Sequence, residues 1–306
     1  MTLSRIAILV ATAGLLVGAC TASAATSGPS SGASLPPAAS PAGSPAASPS
    51  AGTGGGQALI LRVALEGGFI SPGALRARLP TISAYADGTI ISQGLTPAIY
   101  PGALVPTLVY RSVGPAGAAG ILAAATTAGL TGADGTYGPG PVPDGPTTVI
   151  TVIHDGQQTV SRFSSLAPQQ VQPGGATTDP VPSATEQLLG RLMGTDLFGG
   201  TAGPSGTYVP AGFQVFATPG LPDVSDPGLA RSPVAWPLAT PLASFGKADP
   251  LGSDGARVGV VAGPDAVTLQ PILAAATQIT PFTSGGSSWT LVVKPLLPDE
   301  VAALGG

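Results

Sequence analysis

Residues 147–165 read TTVITVIHDGQQTVSRFSS. Two alternating runs, Thr147–His154 and Gln157–Ser165, flank Asp155-Gly156, and that arrangement predicts a β-hairpin. The same signal lies upstream in TISAYADGTIIS, residues 81–92, where Asp87-Gly88 joins Thr81–Ala86 to Thr89–Ser92. Here the dipeptide predicts a type I′ turn, which requires positive φ at both central positions. Between the hairpins, Leu104–Val113 reads as a strand, and an Ala-rich helix opens at Pro115 and runs to Ala128, stopped by Gly129. Upstream of both, Ala58–Leu65 alternates around Leu59, Leu61, Val63 and Leu65 as a first strand. Two hairpins around one helix predict an α+β fold: antiparallel β-sheet with packed helices.

Further along, Ser183-x-x-Glu186 has the form of a capping box. Leu188, Leu189, Leu192, Met193 and Leu197 follow at helical spacing, and Gly199-Gly200 supplies a stop. A strand over Tyr208–Ala217 precedes a Pro-rich loop to Gly255 that contains Trp236. Arg257–Ala262 reads as a strand. A helix is expected between Pro264 and Ile279, kinked or restarted at Pro271, because an interior proline costs about 3 kcal/mol. Ser288–Lys294 closes a smaller C-terminal β-α-β element with Trp289, Leu291 and Val293 on one face.

The N-terminus carries an address. One positive charge, Arg5, precedes an apolar run from Ile6 to Val17. As a helix this run spans about 18 Å at roughly 1.5 Å per residue, short of a bilayer core of about 30 Å. It therefore suits the apolar region of a signal peptide. It ends in Leu16-Val17-Gly18-Ala19-Cys20, which resembles the bacterial lipobox. That resemblance implies cleavage before Cys20, a diacylglycerol on its thiol, and a membrane partner held through the anchor. Two acyl chains suffice for stable anchoring where one is marginal. Cys20 is the only cysteine, so no disulfide framework exists. Residues 21–56 are Ala, Ser, Pro, Gly and Thr with one larger apolar residue, Leu35, and no charge. Such a composition predicts a disordered spacer. The Gly28-x-Ser30-x-Gly32 match inside it lacks the strand-to-helix elbow that a serine hydrolase needs.

The expected organisation is a signal peptide over 1–19, the acylated cysteine with its linker over 20–56, an α+β N-terminal half over 57–170, and a linking helix with the C-terminal half over 171–306. The globular part resembles a group of uncharacterised secreted or lipid-anchored proteins of high-GC Gram-positive bacteria. The matching pieces are Tyr85-Ala86-Asp87-Gly88, Asp144-Gly145-Pro146-Thr147-Thr148, and the tail from Thr283-Ser284-Gly285-Gly286 through Trp289 to Lys294-Pro295-Leu296-Leu297-Pro298-Asp299-Glu300. These are turns and strands rather than chemistry, so the resemblance implies no activity.

Composition narrows the functional classes. Lys and Arg number 11 against 15 Asp and Glu, and no basic cluster exists to neutralise phosphates, so nucleic acid is not an expected partner. The uncharged stretch around Ala116–Ala133 is too weakly apolar to insert in a bilayer. His154 is the sole histidine and precedes Asp155, a pairing that a general base could use, although Asp155-Gly156 is already explained as a turn. One histidine and one cysteine give no ordinary zinc site, and no metal is expected. Asp223 with Asp226, or Asp249 with Asp254, lack calcium-loop spacing. The glutamates Glu66, Glu186 and Glu300 do not suggest a glycosidase pair. Gly246-Lys247 lacks the glycine of a phosphate loop, and no cofactor is expected. Trp236, Trp289, Tyr100, Tyr110 and Phe282 could line a groove but suit a core better.

The expectation is an extracytoplasmic, lipid-anchored domain, non-catalytic, binding a small ligand or an envelope protein. Two alternatives stand beside it: a hydrolase of cell-wall or extracellular polymer using a carboxylate and His154, and an accessory subunit of an envelope complex.

Overall fold

A computed structural model describes residues 57–138, 144–164, 166, 180–223, 228, 229 and 231–304. The chain runs through β1 (Leu59–Gly67), α1 (Pro72–Arg76), β2 (Ile82–Tyr85), β3 (Thr89–Gln93), β4 (Leu108–Ser112), α2 (Gly114–Thr127), β5 (Gly135–Tyr137), β6 (Pro146–His154) and β7 (Gln157–Phe163). It continues through α3 (Pro180–Met193), β8 (Ser205–Thr207), β9 (Gly212–Pro219), β10 (Val234–Ala235), β11 (Lys247–Ala248), β12 (Arg257–Ala262), α4 (Pro264–Ala275), β13 (Phe282–Ser284), β14 (Ser287–Pro295) and α5 (Pro298–Ala302). The strands form two open, mostly antiparallel sheets, ordered β5-β7-β6-β1-β2-β3-β4-β8 and β10-β13-β14-β9-β12-β11. The fold is α+β.

Alternation decides which face of the first sheet is dry. Leu61, Val63, Ile82, Ala84, Ile90, Ile150, Val152 and Phe163 pack against Ala118, Ile121 and Ala125 of α2 and Leu188, Leu189 and Leu192 of α3. The opposite face presents Tyr85, Ile91, Leu108 and Tyr110, covered by Leu79, Tyr208 and Leu297. Leu59 belongs to this second face, although it lies two residues from Leu61. Leu59 pairs with Tyr85 while Leu61 pairs with Ala84, so a bulge takes up Ile60 and reverses the phase of the alternation.

In the second sheet β9 lies between β12 and β14, antiparallel to both, so β12, α4 and β14 form a split β-α-β unit. Phe213, Val215, Ala217, Val261, Leu291 and Val293 face Ala266, Leu269 and Leu273 of α4. Trp236 fills one end of this core, meeting Phe245 and Phe282 edge-on and donating Nε1–H to the Thr240 carbonyl at 2.9 Å.

Several local expectations change. The strand foreseen over Leu104–Val113 shortens to Leu108–Ser112, because Pro106 has no N–H for a ladder and Leu104 is drawn into the second core. The strand foreseen over Tyr208–Ala217 begins only at Gly212, past Pro210, while Tyr208 extends the pairing of β8 with β4 through its N–H to the Leu108 carbonyl. Helix α3 starts at Pro180, so Ser183 lies inside it and donates to the Pro180 carbonyl at 3.0 Å instead of capping. It ends at Met193 because Asp196 organises a turn: its Oδ1 accepts the Phe198 N–H at 2.6 Å and Phe198 takes a φ of 53°. Helix α4 continues through Pro271 without a restart. The hydrogen bond lost there falls on the exposed side, where water can take the Val267 carbonyl.

Candidate functional site

Cys20 lies outside the described residues, as does Asp226. His154 ends β6 opposite Gln157, with its Nδ1 3.8 Å from Asp155 Oδ2 and side-chain exposures of 41% and 88%. The pair stands at a turn tip in solvent rather than in a cleft. Asp249 is buried, but its Oδ2 lies 3.0 Å from Arg76 Nη1 and its Oδ1 accepts the Leu251 N–H at 3.0 Å. The Arg76 guanidinium is therefore the cation that Asp249 faces. Among the described residues no group of three His, Cys, Asp or Glu side chains converges. Glu66 lies 3.9 Å from Arg162, and Glu300 accepts from Lys294 at 2.7 Å and from the Leu297 N–H at 2.9 Å.

Of the aromatic set, Trp236, Trp289, Tyr110 and Phe282 are buried as core; only Tyr100 is exposed.

Two polar clasps join the first sheet and the segment after it to the C-terminal part of the chain, and no local sequence rule marks them because their partners are far apart in the chain. Arg62 Nη2 reaches both oxygens of Asp299 at 2.8 and 3.0 Å, its Nε donates to Ser83 Oγ at 3.2 Å, and Tyr85 donates to Asp299 Oδ1 at 2.9 Å. Burial and the neighbouring Asp299 carboxylate hold the Tyr85 hydroxyl well above the usual phenol range, so Tyr85 serves as a donor and not as a base. Tyr208, raised chiefly by burial, donates to the Leu296 carbonyl at 3.2 Å. In the second clasp the Arg76 guanidinium lies 5.6 Å from the centre of the Phe216 ring while pairing with Asp249. With both oxygens of Asp299 hydrogen-bonded and the buried Asp249 paired with Arg76, these groups fasten the fold.

At one end of the first sheet the exposed side chains are apolar. β1 and β3 run in the same direction, each antiparallel to β2, so the segments following them leave the same end of the first sheet. Their roots are tied where Gln93 Nε2 donates to the Leu79 and Pro80 carbonyls at 3.2 and 3.3 Å. The first segment carries Phe69, 91% exposed, with Ile70 and Leu75; the second carries Leu95, 95% exposed, with Ile99 and Tyr100. Both are tied to segments bordering the second sheet. Arg76 holds the first, and the Leu104 N–H to the Ala276 carbonyl and the Gln278 N–H to the Gly102 carbonyl, each 3.0 Å, hold the second. The sequence signal for this site was the pairing of large apolar residues with Gly and Pro in runs devoid of charge. No described helix is long and apolar enough to cross a membrane.

Comparison with protein-family models, curated proteins and solved structures gives no match.

Proposed function

We propose that this protein is a lipid-anchored, extracytoplasmic binding domain without catalytic activity. The observation that carries the reading is the end of the first sheet, where Phe69 and Leu95 project on charge-free loops whose far ends are tied by Arg76 to Asp249 and by Gly102 and Leu104 to Gln278 and Ala276. Isolated exposed apolar residues are ordinary, but several gathered at one end mark an interaction surface. The lipobox-like Leu16–Cys20 supports placement at a membrane, and the solvent-facing His154–Asp155 pair gives the hydrolase alternative no cleft.

The test has two parts. The intact mass of protein extracted from native membranes is expected to show diacylglycerol on an N-terminal Cys20; an unmodified thiol or a mature terminus beyond it overturns the anchor. Incubation with purified peptidoglycan and extracellular polysaccharide is expected to release no new reducing or amino ends. Release that disappears in His154→Ala would establish a hydrolase instead.

A further inference from the structure

We propose that the occupant of the exposed loops 68–75 and 94–101 is the lipid interface itself, into which Phe69 and Leu95 insert. This rests on the anchored reading above and adds a second, weaker attachment to it.

Four observations point to lipid. No charged residue lies between Gly67 and Leu75 or between Gln93 and Thr107, so neither loop carries a side chain whose desolvation would oppose entry. The polar side chains on the loops are few: Ser71, whose Oγ accepts the Ala74 N–H at 3.3 Å, and the exposed Thr96, while Gln93 is used at the loop roots. So sparse a set gives a protein partner little to fix its orientation, whereas a bilayer interface needs none. Tyr100, 57% exposed at the base of the second tip, has the amphipathic ring that settles at headgroup level. Finally, the clips at Arg76 and at Gly102 and Leu104 fix one end of each loop beforehand, which lowers the ordering cost of binding.

Geometry adds a condition. β1 begins at Leu59, at the end of the first sheet opposite the tips, and nine residues of strand span about 30 Å at roughly 3.3 Å each. Residues 21–56 lie between Cys20 and the domain, and their covalent length, up to about 120 Å at roughly 3.3 Å per residue, is enough for the tips to meet the bilayer that holds the anchor. Anchoring also raises the local lipid concentration, so that loops of weak intrinsic affinity engage.

The test uses the full processed protein mixed with vesicles of phosphatidylcholine and phosphatidylglycerol, with and without bromine on the acyl chains. Trp236 and Trp289 are buried in the second core and give a constant background. In Phe69→Trp and Leu95→Trp, the added fluorescence is expected to fall by half or more on brominated lipid. Val267→Trp, at a site on α4 that is 72% exposed, is expected to lose none. Acylation is read separately by intact mass. Acylated protein with unquenched tips overturns the loop proposal, keeps the anchor, and returns the tips to a protein partner. Quenched tips without acylation keep the loops and remove the anchor; neither signal removes both.

Discussion

The dipeptide Asp-Gly closes two hairpins of the first sheet, and the two turns differ in shape and surroundings. At Asp155-Gly156 both residues have positive φ, 50° and 73°, joining His154 directly to Gln157 as a type I′ turn does, and a Cβ on Gly156 would meet nothing within 4 Å. At Asp87-Gly88 only the glycine is positive, at 85°, and the loop holds three residues, Ala86–Gly88. Asp87 Oδ1 accepts the Thr89 N–H at 2.8 Å, and the Gly88 carbonyl accepts the Val113 N–H at 2.9 Å. A Cβ on Gly88 would stand 2.1 Å from the Gly114 carbonyl oxygen. The free tip takes the turn that twist alone prefers. The docked tip gives up that turn in order to lie against the start of α2.

Substitutions can break this contrast. Gly88→Ala meets both a strained φ and a backbone collision, so it should cost about 3 kcal/mol or more, read as a fall in the chemical-denaturation midpoint. A wild-type midpoint would show that α2 is not seated on the turn. The strand leading to the same turn carries Tyr85, whose raised pKa predicts sensitivity to alkali. The stabilisation is complete below about pH 10, the unfolded value, and declines above it by about 1.4 kcal/mol per pH unit while the folded state keeps its proton. Tyr85→Phe should flatten that decline, with Tyr208 sustaining the remainder; an unchanged slope would remove Tyr85 as its source. Gly156→Ala pays only for its φ and should cost about 1 kcal/mol. Smallest of all, His154→Ala at the free tip should shift stability by less than about 0.5 kcal/mol. A larger loss there would mean the tip has a partner.

The same contrast explains what was legible in the sequence. Both hairpins, the helix α2, the strands β9, β12 and β14, and the α+β class follow from alternation and turn residues, which act over a few positions. The three-residue loop at Asp87 was not legible, since its shape is imposed by Gly114. The strands β5 and β8 are three residues each and carry no period, and β10 and β11 are shorter still inside a Pro-rich stretch. Helix α1 spans five residues and buries none of them, so no periodic signal marked it. The clasps Arg62–Asp299 and Arg76–Asp249 pair residues that no local rule connects. The apolar loop tips lack charge, motif and period alike, and only their common departure from one sheet end makes them a site.

Arg62 and Asp299 stand 237 positions apart. Closing so long a segment carries a larger entropic cost than closing a hairpin, though it grows only logarithmically with length. The face of the first sheet bearing Tyr85, Ile91 and Leu108 is therefore completed only by residues far along the chain, Tyr208 and Leu297. A chain ending before Leu297 would leave part of that face open to water, where aggregation competes with folding.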